Sequence, residues 1–248
     1  MKQATEVQTK AIPAALKGKD LIVSAPTGTG KTLAFCIPII AELISDKNKA
    51  AIVVAPTREL AAQVMEVFQS LLKFEHSVKS VLLIGGMPMG KQLAKLKAFP
   101  QIIVGTPGRM NDHLQRRTLR LANISHVVLD EMDRMLDMGF SIQIDEIYKS
   151  LPKQKQVMMF SATIPPAIEK STGKYLQDPV KIAIAAGQIV NANISEEFLH
   201  TTKEKKYDGL LEQMSKRQGS MLIFVKTKRD TESLAKRLSQ DDYRAKAI

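Results

Sequence analysis

Tryptophan is absent from this chain of 248 residues, and aromatic residues of all kinds make up only 5% of it. This scarcity disfavours a site built from stacked aromatic side chains, which often serve as platforms for unpaired bases. Cys36 is the single cysteine, which excludes an internal disulfide framework and a zinc site made of several cysteines. A chain without disulfides fits a reducing compartment, and we expect a cytoplasmic protein.

Long hydrophobic runs are also missing. No stretch approaches the roughly 20 apolar residues that a membrane-spanning helix needs, and no signal-peptide pattern opens the chain. We therefore expect no membrane partner. Apolar residues make up 44% of the chain and charged residues 25%, which is the balance of a globular protein with an ample core.

Acidic residues are outnumbered, with 25 Asp and Glu against 36 Lys and Arg, which gives a net charge of +11. Such an excess favours polyanionic partners, among them nucleic acid and nucleotides. A solvated basic surface without a polyanionic partner fits the same count equally well. The basic residues form no tail, so any polyanion must bind a folded surface.

The first three quarters of the chain alternate short apolar runs with helical patterns. Several runs are apolar on both faces, for example residues 52–54 and 127–129, as buried parallel strands are. The alternation predicts an α/β fold, a doubly wound parallel sheet with helices on both faces. The predicted strands are residues 21–25, 51–55, 81–84, 102–104, 126–129, 157–160 and 180–184. The predicted helices are residues 32–44, 59–73, 90–97, 109–115, 141–150 and 165–176.

The domain organisation follows from where this alternation stops. Residues 1–184 are predicted to form one domain, and the small and polar residues 185–195 a linker. Residues 196–248 restart the pattern and are interpreted as the truncated beginning of a second domain. Its predicted strands are residues 197–201, 221–225 and 243–248, and its predicted helices are residues 203–216 and 229–239. Because this is too little for a covered sheet, we expect the C-terminal segment to be disordered, loosely docked or paired between molecules.

A glycine-rich loop, residues 25–32, joins the first predicted strand to an apolar helix pattern. Glycines let backbone N–H groups surround a phosphate, and the following helix N-terminus adds partial positive charge. In such a loop Lys31 reaches the β- and γ-phosphates and the Thr32 hydroxyl ligates Mg²⁺. A glycine turn with an incidental lysine is the alternative. The predicted nucleotide-binding residues of the loop are Ala25, Thr27, Gly28, Thr29, Gly30, Lys31 and Thr32.

Two acids follow the predicted strand at residues 126–129. Asp130 is placed to hold Mg²⁺, and Glu131 to orient or deprotonate the attacking water. Acids that cap the next helix are the alternative interpretation. Together with the glycine loop, the pair predicts a nucleoside triphosphatase whose catalytic residues are Lys31, Asp130 and Glu131.

The residues around these two motifs resemble those of one family. Asp130-Glu131-Met132-Asp133 is similar to the Asp-Glu-x-Asp motif of the DEAD-box RNA helicases of bacterial type, although Met132 stands where the family usually has Ala. Further motifs of that family follow in order and cover nearly the whole chain. They are Gln8 with Ile12-Pro13, Ala25 to Thr32, Pro56-Thr57-Arg58-Glu59-Leu60, Gly85-Gly86, Thr106-Pro107-Gly108-Arg109, Ser161-Ala162-Thr163 and Met221 to Val225.

The resemblance implies a RecA-like P-loop lobe followed by an incomplete second RecA-like lobe. It implies an ATP hydrolase that uses ATP and Mg²⁺, binds RNA through its backbone without sequence specificity, and separates short duplexes locally. In the family the glutamine, here Gln8, selects adenine, and its amide carries the donor and acceptor that match an adenine edge. Without the resemblance, Gln8 is interpreted as a glutamine on a helix surface.

The resemblance also assigns two groups of residues beyond the nucleotide site. It implies that Asp133, Ser161 and Thr163 couple the ATP state to the RNA state. Hydroxyl, guanidinium and N–H groups at strand ends suit sugar–phosphate contacts, although each tripeptide alone is typical of a turn or a helix cap. The implied RNA-binding residues are Pro56, Thr57, Arg58, Gly85, Gly86, Thr106, Pro107, Gly108 and Arg109.

Other functions remain open at this point. An ATP-gated RNA clamp with little unwinding activity, a metabolic P-loop kinase, and a helicase acting on DNA all share the loop and the acid pair. The family's second-lobe arginines, which act on the γ-phosphate, and its adenine-packing aromatic residue have no counterpart in this sequence. For this chain we therefore expect weak nucleotide affinity, negligible ATP turnover and no duplex separation.

Overall fold

The computed structural model of the chain describes residues 3–164, 166–184 and 197–248. The chain divides into two compact units, Met1–Ile189 and Val190–Ile248. The predicted linker, residues 185–195, lies outside the described residues. Among the helices of the described part, none combines the length and the apolar composition that crossing a membrane requires.

The first unit contains a seven-stranded sheet in which every pairing is parallel. The order of its strands is β3-β4-β2-β5-β6-β1-β7. The predicted doubly wound parallel sheet is therefore confirmed, and all seven predicted strands are present within two residues of their expected ends. The strands are β1 Leu21–Ser24, β2 Ala50–Val54, β3 Ser80–Leu83, β4 Ile102–Gly105, β5 Ile124–Leu129, β6 Gln156–Ser161 and β7 Val180–Ala183.

Eight helices of the described residues accompany this sheet. Two of them, α1 and α6, were not among the predicted helices; α6 is only six residues long. The helices are α1 Glu6–Leu16, α2 Lys31–Ser45, α3 Arg58–Leu71, α4 Met89–Leu96, α5 Pro107–Gln115, α6 Met132–Asp137, α7 Ser141–Lys149 and α8 Pro166–Tyr175.

Both faces of the sheet are buried, which explains why its strands are apolar on both sides. Along β2, Ala51 and Val53 join one hydrophobic cluster, whereas Ile52 and Val54 join another. Helices α1, α2 and α3 contribute to the first cluster. Helices α5, α6 and α7 contribute to the second, together with Leu96 of α4 and Ile168 and Tyr175 of α8. Because the helices cover both faces of the sheet, polar side chains lie mainly at its carboxyl edge, where the strands end in loops.

The second unit contains α9 (Lys206–Ser215) and α10 (Lys228–Gln240) and no strand among described residues 197–248. The two predicted helices are confirmed within three residues, and the strands predicted at residues 197–201, 221–225 and 243–248 are wrong. A strand forms only when a neighbour pairs with its backbone, and residues 197–248 offer none. Leu222 and Phe224 are accordingly exposed, at 67% and 87% of their surface.

Candidate functional site

The order of the strands sorts the predicted site residues into two groups. Strands β5, β6 and β1 are neighbours, and their carboxyl ends lead into Asp130, Ser161 and the loop of residues 25–32. The carboxyl ends of neighbouring parallel strands meet at one edge of a sheet, where ligands bind in open α/β folds. These residues form the first group, which we call the P-loop group.

The second group lies on the other half of the same edge. Strands β3, β4 and β2 are neighbours, and they lead into Gly85, Thr106 and Pro56. We call the residues that follow these strands the β3-β4-β2 group. The structure therefore brings together within each group residues that are far apart in the sequence.

Lys31 is a buried lysine at the start of α2, with 8% of its surface exposed. Its Nζ donates to the carbonyl oxygen of Ala25 at 2.6 Å and to that of Ser161 at 3.5 Å. No carboxylate of the described residues forms an ion pair with it within 4.0 Å. An ammonium bonded only to neutral carbonyls has no counter-charge of its own, which favours an anionic ligand beside it.

The remaining loop residues surround this lysine. Ala25 N donates to Ser161 O at 3.1 Å, which joins the beginning of the loop to the end of β6. The Thr29 hydroxyl donates to Pro26 O at 2.7 Å and closes the turn. Thr27 and Gly28 are exposed at the outside of the loop, and Thr32 is half-buried in the first turn of α2.

Gln8 is buried against the same loop, with only 3% of its surface exposed. Its Nε2 donates to Gly30 O at 3.2 Å, and its Oε1 accepts from Thr5 N at 3.0 Å. Gly30 has φ +92°, and a Cβ built on it would lie 2.5 Å from Gln8 Nε2. The interpretation of Gln8 as a residue of a helix surface is therefore wrong, because α1 packs this side chain onto the loop.

Asp130 ends β5 in a buried position, with 3% of its surface exposed. Its Oδ1 accepts from Glu131 N at 3.1 Å, and its own N donates to Val54 O at 3.0 Å. Burial raises the pKa of Asp130 to about 7, the charge of Lys31 opposes this rise, and Glu131 adds to it. A carboxylate that is costly to ionise without a cation is suited to hold one.

Glu131 has a left-handed backbone conformation, with φ +49° and ψ +53°. A non-glycine residue in this region is strained by about 1 kcal/mol. The strain accompanies a sharp turn of the chain from β5 into α6. Its Oε2 lies 3.2 Å from Arg134 Nη1, in a pair that is mostly exposed on the arginine side.

Asp133 is the centre of a hydrogen-bond cluster between α6 and the end of β6. Its Oδ2 accepts from Ala162 N at 3.1 Å, from Thr163 N at 3.0 Å and from Thr163 Oγ1 at 3.1 Å. Asp133 N donates in turn to Ser161 Oγ at 3.3 Å. Burial opposes ionisation of Asp133, but the bonds from Thr163, Arg134 and Ser161 outweigh it and lower the pKa of the carboxyl.

Two side chains packed behind the acids were not singled out as site residues. Met132 is fully buried in the hydrophobic cluster of α5, α6 and α7, so the larger side chain at this motif position points into the core. Cys36 on α2 is also fully buried, and burial, followed by the charge of Asp130, raises the pKa of its thiol well above the usual value. The thiol is therefore protonated and forms part of the apolar lining near Asp130.

In the β3-β4-β2 group, Arg58 lies against the glycine pair. A Cβ on Gly85 would come within 2.8 Å of Arg58 Nη2, and one on Gly86, which has φ +81°, within 2.7 Å of Nη1. Only glycines permit this approach of the guanidinium to the backbone. Pro56 is buried, and the Thr57 hydroxyl accepts from Leu60 N at 3.2 Å as the N-cap of α3.

The residues after β4 form the beginning of α5. Thr106 occupies the N-cap position and Pro107 the first turn, where its missing N–H removes no helical bond. Gly108 is exposed, and a Cβ there would meet nothing within 4 Å. Arg109 Nη1 lies 3.5 Å from Asp112 Oδ2 and 3.8 Å from Met89 Sδ.

A buried polar pair beneath this group had no signal in the sequence. Gln92 and His113 have 1% and 0% of their surface exposed, and Gln92 Oε1 lies 3.3 Å from His113 Nε2. The sequence predicts no role for His113, because the chain around it shows no ligand spacing. The pair becomes visible only when α4 and α5 are placed side by side.

The sequence model of the family described as DEAD/DEAH box helicase matches residues 5–171 of this chain. The chain belongs to the DEAD/DEAH box helicase family. The match contains every predicted site residue, including the P-loop group and the β3-β4-β2 group. The resemblance drawn from the motifs is thereby confirmed.

Relatives and solved structures agree with this assignment. The chain is 42% identical over 246 residues to the ATP-dependent RNA helicase DeaD of Mycobacterium tuberculosis (strain CDC 1551 / Oshkosh), covering 98% of this chain and 43% of DeaD. It is 39% identical over 248 residues to the DEAD-box ATP-dependent RNA helicase CshA of Bacillus subtilis (strain 168), covering 99% of this chain and 50% of CshA. The chain thus spans about half the length of the curated relatives it matches.

Two solved structures share the fold. The crystal structure of a DEAD box protein from Methanococcus jannaschii matches with a TM-score of 0.69 at 37% identity, covering 98% of this chain and 66% of that one. A hypothetical ATP-dependent RNA helicase from Sulfolobus tokodaii matches with a TM-score of 0.70 at 31% identity, covering 96% of this chain and 68% of that one. The parallel sheet of the first unit is therefore a RecA-like domain of this family.

Proposed function

We propose that this chain binds ATP with Mg²⁺ and also RNA, and that it is the part of an ATP-dependent RNA helicase that couples ATP hydrolysis to RNA binding. The observation that supports this most directly is that the loop of residues 25–32, Asp130 and Ser161 lie at the carboxyl ends of three neighbouring strands, with Lys31 Nζ 3.5 Å from Ser161 O. We place the activity in the cytoplasm, where ATP and RNA are both available.

In this proposal the loop of residues 25–32 surrounds the phosphates with backbone N–H groups, and Lys31 donates to the β- and γ-phosphates. Lys31 Nζ exchanges its bonds to Ala25 O and Ser161 O for bonds to phosphate oxygens. Gln8 holds the loop through Gly30 O. The remaining N–H of its amide and a lone pair of Oε1 then match the donor and acceptor of an adenine edge.

The residues present fit a magnesium ion. The Asp130 carboxylate is buried beside the loop, and the Thr32 hydroxyl lies in the first turn of α2, so two hard oxygen donors are available near the phosphate region. We propose Thr32 and Asp130 as the residues that hold Mg²⁺, Asp130 through water. When bound, the ion neutralises charge that develops on the transferred phosphoryl group.

Glu131 supplies the base in this proposal. Its carboxylate orients a water molecule toward the γ-phosphorus and accepts a proton as the new P–O bond forms and the bond to the leaving oxygen of ADP breaks. The left-handed backbone conformation of Glu131 sets the direction in which its side chain leaves the main chain. Arg134, 3.2 Å from Oε2, holds the carboxylate in place by its hydrogen bond.

The cluster of Asp133, Ser161 and Thr163 is our proposed link between nucleotide and RNA. Ser161 O touches Lys31, while Ser161 Oγ accepts from Asp133 N. A movement of Lys31 toward phosphate would therefore change its contact with Ser161, and Ser161 would pass the change to Asp133 on α6. We propose that RNA binding biases the same hydrogen bonds from the other side.

RNA is proposed to lie along the β3-β4-β2 group. Hydroxyl, N–H and guanidinium groups there are suited to phosphate and sugar, and no base-reading set is present among these residues, which favours binding without sequence specificity. The residues are Pro56, Thr57, Arg58, Gly85, Gly86, Thr106, Pro107, Gly108 and Arg109. Local separation of duplexes is proposed for the whole protein, because this chain spans about half the length of its curated relatives.

Binding assays on this chain test the proposal. We expect a fluorescent ADP analogue to bind in the presence of Mg²⁺, ATP to displace it better than GTP, and Lys31→Met to weaken it by roughly 10- to 100-fold, as loss of a charge-assisted phosphate contact should. Lys17→Met, at an exposed lysine, is the matched control. Labelled single-stranded RNA should bind with an affinity that falls with salt.

The outcomes separate this proposal from its alternatives. Equal displacement by GTP would overturn the selection of adenine by Gln8, and no effect of Lys31→Met would overturn the nucleotide site. Absence of RNA binding at low salt would overturn the RNA surface and leave an isolated nucleotide-binding domain. In a protein extended through the rest of the second lobe, Glu131→Gln should retain the nucleotide and abolish RNA-dependent phosphate release, whereas a clamp without turnover predicts no difference between Glu131→Gln and the unchanged extended protein.

A further inference from the structure

We propose that Gln92 is a positioning residue that fastens the loop after β3 to helix α5, so that the two RNA-contact segments after β3 and β4 form one preassembled surface. The inference rests on the proposed RNA-binding function and adds to it a residue that lies beneath the surface. Gln92 is on α4 and has only 1% of its surface exposed.

The amide of Gln92 holds the glycine pair from both sides. Its Nε2 donates to Ile84 O at 3.2 Å and to Met87 O at 3.1 Å. These two carbonyls immediately precede and follow Gly85 and Gly86. Glycines are the most freely moving residues of a chain, so two side-chain bonds at the ends of the pair remove much of that freedom.

The acceptor end of the same amide connects to α5. Because both Nε2 hydrogens are given to carbonyls, Gln92 Oε1 accepts, and His113 Nε2 therefore carries the proton of their 3.3 Å contact. The Thr118 hydroxyl lies 2.9 Å from His113 Nδ1, which then accepts, and also donates to His113 O at 3.1 Å, so its single hydrogen is shared between the two acceptors. Burial, followed by the charge of Arg109, lowers the pKa of His113, which favours the neutral imidazole.

The network joins the backbone of one RNA-contact loop to the helix that carries another. His113 lies on α5, whose first turn contains Pro107, Gly108 and Arg109. Arg109 Nη1 also lies 3.8 Å from Met89 Sδ, which stands at the start of α4. The loop after β3 and the first turn of α5 are thus tied together through two separate contacts.

A second buried glutamine, Gln101, makes similar hydrogen bonds away from the proposed RNA surface and serves as a comparison for Gln92. Gln101, just before β4 at the opposite edge of the sheet, donates from Nε2 to Leu43 O at 3.3 Å and to Lys49 O at 3.4 Å. Gln101 has 8% of its surface exposed. It makes the same two kinds of bond as Gln92 but holds no proposed RNA-contact loop, so Gln101→Met is a matched control for Gln92→Met.

A preassembled surface binds more tightly because the ordering has been completed before RNA arrives. We expect Gln92→Met, which preserves size and removes the hydrogen bonds, to weaken binding of a fluorescein-labelled single-stranded RNA by about tenfold. Affinity for the fluorescent ADP analogue should remain within about twofold, since the P-loop group is on the other half of the edge. Amide hydrogen exchange of residues 85–87 should accelerate in the free protein.

Gln101→Met should lower the melting temperature about as much as Gln92→Met and leave RNA affinity and exchange at residues 85–87 unchanged. Thr118→Val removes the hydroxyl contacts with His113 Nδ1 and O but leaves the bonds of Gln92 in place, and it should weaken RNA binding by about two- to threefold. This milder variant carries the test if Gln92→Met does not fold.

The proposal is overturned if Gln92→Met binds RNA as tightly as the unchanged protein, or if Gln101→Met weakens RNA binding equally. The hydrogen-exchange measurement needs no RNA and separates two failures. If the protein without substitutions binds no RNA, both the proposed RNA-binding function and the role of Gln92 in RNA binding are refuted. Normal RNA binding together with unaltered exchange in Gln92→Met refutes the role of Gln92 alone.

Discussion

Asp133 and Thr163 are joined by two hydrogen bonds to a single oxygen, because Asp133 Oδ2 accepts from both the backbone N and the hydroxyl of Thr163, at 3.0 and 3.1 Å. The two residues are 30 positions apart and belong to different motifs. Their contact fixes α6 against the end of β6. It directly connects the acids after β5 with the chain after β6.

Removing this acceptor should destabilise the domain. Asp133→Ala leaves the N–H groups of Ala162 and Thr163 without their partner, and we expect the free energy of unfolding to fall by about 1–2 kcal/mol, since water can replace part of the loss. Thr163→Val removes one of the bonds and should lower it by about 0.5–1 kcal/mol. Urea unfolding measures both. Asp137→Ala, at an exposed aspartate of the same helix, is the control, and a change there as large as in Asp133→Ala would contradict the prediction.

Asp130 should make the metal-free protein less stable as the pH rises. Its pKa is about 7 in the folded protein and 3.8 in the ordinary state, so between these values the folded form holds a proton that the unfolded form has lost. Stability therefore decreases from about pH 4 to pH 7 and then levels. At pH 8 without metal, Asp130→Asn should be more stable than the unchanged protein by roughly 2–4 kcal/mol, and at pH 4 the difference should vanish.

Unfolding in urea at several pH values, with a chelator present, measures this difference. Asp137→Asn controls for the change in net charge at a surface position. Parallel pH profiles of Asp130→Asn and the unchanged protein would show that the carboxylate is not the source of the pH dependence.

Gly30 should tolerate alanine far less well than Gly28, although both have positive φ, +92° and +80°. Alanine strains the backbone at either position by about 1 kcal/mol. At Gly30 the new Cβ also comes within 2.5 Å of Gln8 Nε2, whereas at Gly28 it meets nothing within 4 Å. We expect Gly30→Ala to lose more stability and more nucleotide affinity than Gly28→Ala.

A double-mutant cycle locates the cause of that difference. Gln8→Ala in the Gly30→Ala background should restore part of the stability, because it removes the atom that clashes. Thermal unfolding and titration with the fluorescent ADP analogue give both readouts. Additive effects of the two substitutions would refute a direct clash between Gln8 and residue 30.

Arg58 should contribute to RNA affinity through its charge and not by recognising the base sequence of the RNA. We expect Arg58→Ala to weaken binding of different single-stranded RNAs by a similar factor and to reduce the slope of log affinity against log salt by about 0.7–1. Arg120→Ala, an exposed arginine in the loop before β5, is the control. A weakening confined to one RNA sequence, or an equal loss in Arg120→Ala, would contradict the assignment of Arg58 to the RNA surface.

Much of the fold could be predicted from the sequence because its signals are local. A run such as β2 is apolar on both faces whatever surrounds it, and this property distinguishes a buried parallel strand within a few residues. The prediction of strands at residues 221–225 and 243–248 was wrong because strand formation also depends on residues elsewhere in the chain. Their composition favours a strand, but pairing depends on a neighbour that the described residues do not provide.

The chemistry of single residues was determined by the sequence alone: which loop suits phosphate, which acids suit a metal, and to which family the motifs belong. The tertiary structure decided which of these residues meet. Strand order placed Lys31 beside Ser161 and kept both apart from Arg58, buried Gln8 against Gly30, and put Gln92 beneath the glycine pair. The physical reason is that motif chemistry is carried by a few consecutive side chains, whereas burial and hydrogen-bond partners depend on crossovers that join segments more than a hundred residues apart, as between Lys31 and Ser161.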